Sequence, residues 1–159
     1  MIHDDLWTFA LSCYAQPGVE ATCLELQAAG ADVCLLLTGA WLECRSVGCD
    51  DARLAQLKNI SDDWRTSVVA PLRNLRQGWR QQAISDDDLA GLRARVKRLE
   101  LDAEQVQLQR LQDAARHWPT GCRPADWLER LSIDLRGETR MPIAILRRAA
   151  AAQLAAGED

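Results

Sequence analysis

Apolar residues recur at three- and four-residue intervals along almost the whole chain, and nowhere do they alternate long enough to suggest a strand or hairpin. That spacing restricts the chain to helices packed on helices. With 159 residues, 48% of them apolar, one core can be buried. The expectation is an all-α, single-domain multi-helix bundle spanning residues 1–159, with a frayed tail over 156–159.

The segments follow from caps and breakers. Helix one is expected from Asp4 to Ala15, with Leu6, Phe9, Ala10 and Cys13 on one face. Pro17 suits the first turn of helix two and Gly30 its end, with Val19, Cys23 and Leu26 as the buried stripe. Asp32 can cap a third helix over about 32–45, apolar nearly all round and so expected at the centre of the core. A short helix from Asp51 to about Lys58 follows a loop at 46–50. Ser61 is then read as the cap of a new helix, with Asp62 and Asp63 in its first turn, and Pro71 should kink that helix near Ser67.

Ser85-Asp86-Asp87-Asp88 opens a long helix, expected over about 86–117. Leu89, Leu92, Val96, Leu99, Ala103 and Val106 keep a heptad, which then slips to Leu101, Leu108, Leu111, Ala115 and Trp118. A slip of that kind fits packing on the helix's own domain better than a sustained coiled coil. Two further helices are expected, about Pro124–Leu135 and Met141–Ala155.

One helix face carries the candidate site. Between Trp64 and Ser85 there are four arginines, no lysine and no acidic residue. At 100° per residue, Arg65, Arg73, Arg76 and Arg80 share an arc of roughly 80°. Trp64, Val68, Leu72, Leu75 and Trp79 fill an adjoining apolar arc, expected to be buried. Planar guanidinium donors in a row suit carboxylate or phosphate. The four arginines are therefore the candidate anion- or partner-binding residues.

Charge supplies a competing use for them. Residues 1–52 hold eight acids and one base, whereas residues 53–159 hold fifteen acids and eighteen bases. Glu20, Glu25, Asp32 or Glu43 of the acidic half could neutralise the stripe inside the same fold. The overall net charge of −4 argues against a dedicated DNA binder.

Leu6-Trp7, Phe9-Ala10, Tyr14, Pro17-Gly18-Val19, Cys23-Leu24, Leu26-Gln27, Gly30, Asp32-Val33, Leu35-Leu36-Leu37 and Trp41-Leu42 resemble the N-terminal signature of one family. It comprises small proteobacterial proteins catalogued as "domain of unknown function" family 2390. Trp64, Val68-Val69, Pro71-Leu72-Arg73 and Arg76 resemble its second block. The resemblance covers roughly residues 5–112 and implies a short, cytosolic bacterial protein. It implies no activity. Cys34 stands where relatives commonly have Asn, and Cys44 and Cys49 lie outside the signature.

Other chemistries find little support. Cys13, Cys23, Cys34 and Cys44 recur every ten or eleven residues, without the close pairs of a zinc site, and read as small buried hydrophobes. Cys44 and Cys49 flank a loop where a reactive thiolate could sit. His3 and His117 read as surface residues, and the acid clusters at 50–51, 62–63 and 86–88 as helix caps. No catalytic residue, metal site or cofactor motif is assigned. The acidic N-terminus lacks the charge of an export signal, and the longest apolar run, Val33–Leu42, is half a membrane span, so a cytoplasmic location is expected.

The leading expectation is a non-enzymatic adaptor or regulatory protein that binds a protein partner, with no membrane role. The alternatives are polyanion or nucleic-acid binding through the arginine face, and a small-molecule enzyme whose inter-helix site uses arginine to hold an anionic substrate.

Overall fold

The computed structural model describes residues 4–121 and 125–156. Its order is α1 Leu6–Tyr14, α2 Val19–Ala28, α3 Val33–Cys44, α4 Asp51–Trp64, a π-helical turn Arg65–Val69, α5 Ala70–Gly78, a 3-10 turn Gln82–Ile84, α6 Asp87–Ala115, α7 Trp127–Ser132 and α8 Arg140–Ala155. Among the described residues there is no strand, so the protein is all-α. No helix among them is long and apolar enough to cross a membrane.

Local signals set many of the boundaries. Asp5, Asp32, Asp50 and Asp86 each cap a helix by accepting a backbone N–H from the first turn. The left-handed Gly18 (φ +82°) precedes α2, so Pro17 lies before the helix rather than inside its first turn. At the other end, Gly30 (φ +92°) closes α2. Ala31 N–H donates to Leu26 O at 2.9 Å and Gly30 N–H to Gln27 O at 3.0 Å, the paired bonds of a Schellman stop.

Helix α3 is the central element expected of it. Every residue from Leu35 to Leu42 is buried, and the helix packs against α1, α2, α4, α6, α7 and α8. Gly39 is what lets α7 approach. A Cβ there would lie 2.7 Å from Leu131 Cδ1 and 3.4 Å from Trp127 Cβ. Trp127 is fully buried, stacks on Trp118 with centroids 5.8 Å apart, and donates its indole N–H to Val47 O at 2.8 Å. The helix at Trp127–Ser132 is shorter than the expected Pro124–Leu135, whose first residue lies outside the described residues. Of the frayed tail expected over 156–159, Ala156 donates its N–H to Ala152 O at 3.2 Å, and residues 157–159 lie outside the described residues.

The largest departure concerns Ser61. It does not start a helix. α4 runs through it, and the π turn carries the chain into α5, so Asp51–Gly78 is helical without a break. Ser61 is instead fully buried inside α4. Pro71 has its expected local effect in another form. Lacking an N–H and crowding the carbonyl four residues back, Ser67, its ring is accommodated by widening the preceding turn. There Ala70 N–H reaches Arg65 O, five residues away.

The core gathers α1, α2, α3, α7, α8, Leu57 of α4 and the second half of α6. Gln112 ties α6 to the start of α1 by accepting from Leu6 N–H at 2.8 Å. The rest of α6 leaves this body. Its first half pairs with α5, and from residue 70 to residue 99 no residue is buried.

Candidate functional site

The four arginines of the stripe lie in different surroundings. The π turn contributes an extra residue, which rotates Arg65 relative to the downstream arginines by up to about 100°. Arg73 and Arg76 are engaged by α6. Arg73 donates Nε to Glu100 Oε1 and Nη2 to Glu104 Oε1, both at 2.8 Å. Arg76 donates Nε to Glu100 Oε2 at 2.5 Å and Nη2 to Glu100 Oε1 at 3.3 Å. Arg80 is exposed beyond the end of α5. Arg65 is half-buried and forms no ion pair or side-chain hydrogen bond among the described residues.

Of the stripe, Arg73 and Arg76 are therefore neutralised internally, and their carboxylates come from α6 and not from the N-terminal half. Glu100 is 7% exposed and bridges two guanidinium groups. Burial works to raise its carboxyl, but the hydrogen bonds and charges of Arg76 and Arg73 prevail and hold it below the usual range. For Glu104 the balance reverses. Burial raises it, the neighbouring Glu100 and Asp32 raise it further, and Arg73 only partly offsets them.

A second polar cluster lies one turn further along α6. Ser61 Oγ–H donates to Asp32 Oδ2 at 2.5 Å. Gln107 Nε2 donates to Ser61 Oγ at 2.6 Å and to Asp32 Oδ2 at 3.0 Å. Ser61 and Gln107 are almost wholly removed from solvent. Asp32, which also caps α3, thus joins α3, α4 and α6 through one carboxylate. Sequence reasoning overlooked this function for Ser61, and it overlooked Glu100, Glu104 and Gln107 altogether. Their signal was available: three polar residues at i, i+4 and i+7 interrupt the apolar inner face of the long helix.

Between these two clusters a cleft of about 200 Å³ opens among α1, α3, the π turn and α6. Arg65, Arg73, Asp32, Glu104 and Gln107 supply its polar wall, and Trp7, Leu11, Val33, Leu37 and Leu108 are among its apolar ones. A wider groove of about 500 Å³ shares Tyr14, Gln27, Arg73, Leu101 and Glu104 with it and continues toward Arg76, Lys97 and Arg98. Of the four predicted arginines, Arg65 and Arg73 line the cleft, Arg76 lines the groove, and Arg80 lines neither.

On α5 and the first half of α6, by contrast, apolar side chains face solvent. The apolar arc expected to be buried is not. Trp64, Val68, Leu72 and Trp79 are only half-buried and Leu75 is exposed. Trp64 packs on α6, donating Nε1–H to Ala103 O at 2.8 Å beneath the Arg110 guanidinium. On α6, Leu92, Leu99 and Val106 repeat every seven residues, 40–53% exposed.

The surroundings of the described cysteines disfavour the thiolate. The five described are free, and burial raises each one: Cys13 to about 12, Cys23 and Cys44 to about 11, Cys34 well up, and Cys49 up despite the nearby Arg130. The reactive thiolate considered for Cys44 and Cys49 is thus not favoured. No group of three or more potential metal ligands occurs among the described residues. His3 lies outside them, and His117 is exposed just past α6.

A family model described as "Protein of unknown function (DUF2390)" matches residues 5–111. The chain belongs to that family. Every residue lining the cleft and the groove falls within the DUF2390 segment, as do Glu100, Ser61 and the whole α5–α6 pairing, whereas α7 and α8 lie beyond it. No curated protein and no solved structure matches the chain.

Proposed function

We propose that this protein is a non-enzymatic adaptor or regulatory protein of a bacterial cytoplasm, and that it docks a protein partner on the hairpin formed by α5 and the first half of α6. One observation carries this reading. Across thirty consecutive residues, 70–99, which comprise α5, the connecting turn and the first half of α6, none is buried, and Leu75, Leu92 and Leu99 stay 42–53% exposed. α5 and the first half of α6 are each short enough to be marginal in water unless an apolar face is covered. A partner helix laid along Leu92 and Leu99 would cover it.

Charge defines that partner. Asp86, Asp87 and Asp88 begin α6, and Arg93, Arg95, Lys97 and Arg98 follow. A matching helix carries bases opposite the first group and acids opposite the second. A second copy of α6 running antiparallel meets this description, so self-association is the simplest case.

The polyanion reading has weaker support. Its two central donors, Arg73 and Arg76, are engaged by Glu100 and Glu104. An enzymatic reading draws on the polar cleft, but burial raises the Cys34 thiol that lines it and so disfavours its thiolate.

Sedimentation of the purified chain and affinity capture from native lysate test the proposal together. Wild type should self-associate or retain a stoichiometric partner, and Leu92→Glu/Leu99→Glu should lose either while keeping its helical signal. A wild type that sediments as a monomer and retains no stoichiometric partner defeats the reading. So does a double variant that behaves like wild type.

A further inference from the structure

We propose that the cleft among α1, α3, the π turn and α6 binds a small organic monocarboxylate with an apolar body, and that Arg65 holds its carboxylate. This does not rest on the docking reading, since the cleft and the exposed α6 stripe use different residues.

The argument begins with which groups on the wall are free. Arg73 is held by Glu100 and Glu104. Asp32 accepts from Leu35 N–H, Ser61 and Gln107. Glu104 accepts from Arg73. Arg65 alone among the charged groups lining the cleft has neither ion pair nor side-chain hydrogen bond. A half-buried guanidinium with open donors is suited to one carboxylate, which it can grip with two parallel bonds.

The remaining wall limits the ligand further. Two carboxylates stand on it, so a dianion such as a phosphate monoester would be opposed by them with only one free cation in its favour. An amine would meet Arg65 and Arg73 with no unengaged carboxylate. Besides these polar groups, Trp7, Leu11, Val33, Leu37 and Leu108 line the cleft with hydrocarbon and an aromatic ring. A buried apolar cavity of about 150 Å³ accommodates a benzene ring, so about 200 Å³ suits a body of roughly eight non-hydrogen atoms. Short straight-chain and arylalkyl acids share this chemistry.

Calorimetric titration of the full chain with octanoate and hydrocinnamate, each beside its primary amide, tests the assignment. At least one acid should bind, and its amide should bind at least about tenfold more weakly. Arg65→Gln should abolish the preference for acid over amide, with an unchanged thermal midpoint for the unliganded chain. Leu11→Trp, a change at a half-exposed position on the cleft wall, should block both compounds. Failure of both acids to bind overturns the proposal. Equal binding of acid and amide, or an undiminished preference in Arg65→Gln, overturns it as well, and the acid-to-amide comparison decides even if a variant fails to fold.

Discussion

Glu100 shows how a single side chain can decide what an arginine stripe is for. Both of its oxygens are taken by Arg73 and Arg76, so the two central donors of the stripe point inward to a carboxylate instead of outward to a ligand. Removing that charge while keeping the shape leaves two part-buried guanidiniums facing an amide. Glu100→Gln should therefore destabilise the fold by about 3 kcal/mol. Urea melts near neutral pH measure it. The pH dependence has a definite sign. The folded carboxyl lies below its ordinary range, so its stabilisation is present above that range and disappears as pH falls through the depressed value. The gap between wild type and Glu100→Gln should hold above the ordinary carboxylate range and narrow progressively as pH falls below it toward the depressed value. Glu104 has the opposite sign, because its carboxyl lies above its ordinary range. Its ionisation weakens the fold near neutral pH, and protonation relieves that cost. Glu104→Gln should accordingly cost much less than Glu100→Gln in the same melts. None of this was legible at the level of one residue. Arg73 and Arg76 stand out in the sequence, but their partners lie 24 to 31 residues away, on a helix that reaches them only after the chain folds back.

At the scale of elements, what was legible is what is local. The caps at Asp32 and Asp86 and the stop at Gly30 depend on neighbours within five residues, and the structure has them. The apolar run of α3 needed no partner to announce a buried helix. Ser61 misled because Ser-Asp-Asp is a cap pattern, and only Asp32 and Gln107, brought from distant segments, draw its hydroxyl into the core. Pro71 was legible as a disturbance, but the widened turn that absorbs it depends on how α4 and α5 both reach α6. The end of α3 falls where the sequence places it, but the form of its stop was not legible. It closes with the two bonds that Gly30 makes for α2: Val47 N–H donates to Leu42 O at 3.0 Å and Ser46 N–H to Glu43 O at 2.9 Å. The left-handed position is Ser46, at φ +54°, where a serine carries a penalty that glycine lacks. Ser46→Gly should raise stability by about 1 kcal/mol, read as a higher midpoint in thermal denaturation.

Across the whole molecule, the acidic N-terminal segment and the basic remainder are reconciled at the C-terminal helices rather than at the stripe. Glu43 holds Arg147 and Asp51 holds Arg130, so these acids fasten α8 and α7 to the end of α3 and the start of α4, while Asp4 holds Arg45 within the N-terminal segment itself. Glu43 also accepts Leu128 N–H at 2.8 Å. This division of labour leaves two zones of unequal stability. One is the body, where α3 is surrounded and the second half of α6 contributes Leu108 and Leu111 to the core. The other is the hairpin of residues 70–99, fastened at its base by the Arg73–Glu100–Arg76 contacts and by Arg93, whose Nε donates to Arg76 O at 2.9 Å. Segments with little buried apolar surface open without global unfolding. Native-state hydrogen exchange should therefore find amides of α5 and of Leu89–Leu99 exchanging far faster than those of Leu36–Leu42, although both belong to regular helices. Glu100→Gln should speed exchange in the hairpin most, because it removes the fastening at the base. Occupation of the α6 stripe by a partner should do the reverse, slowing the hairpin while leaving α3 unchanged. A hairpin as protected as α3 in the isolated chain would mean that its exposed leucines need no partner, and the docking role proposed for it would lose its physical basis.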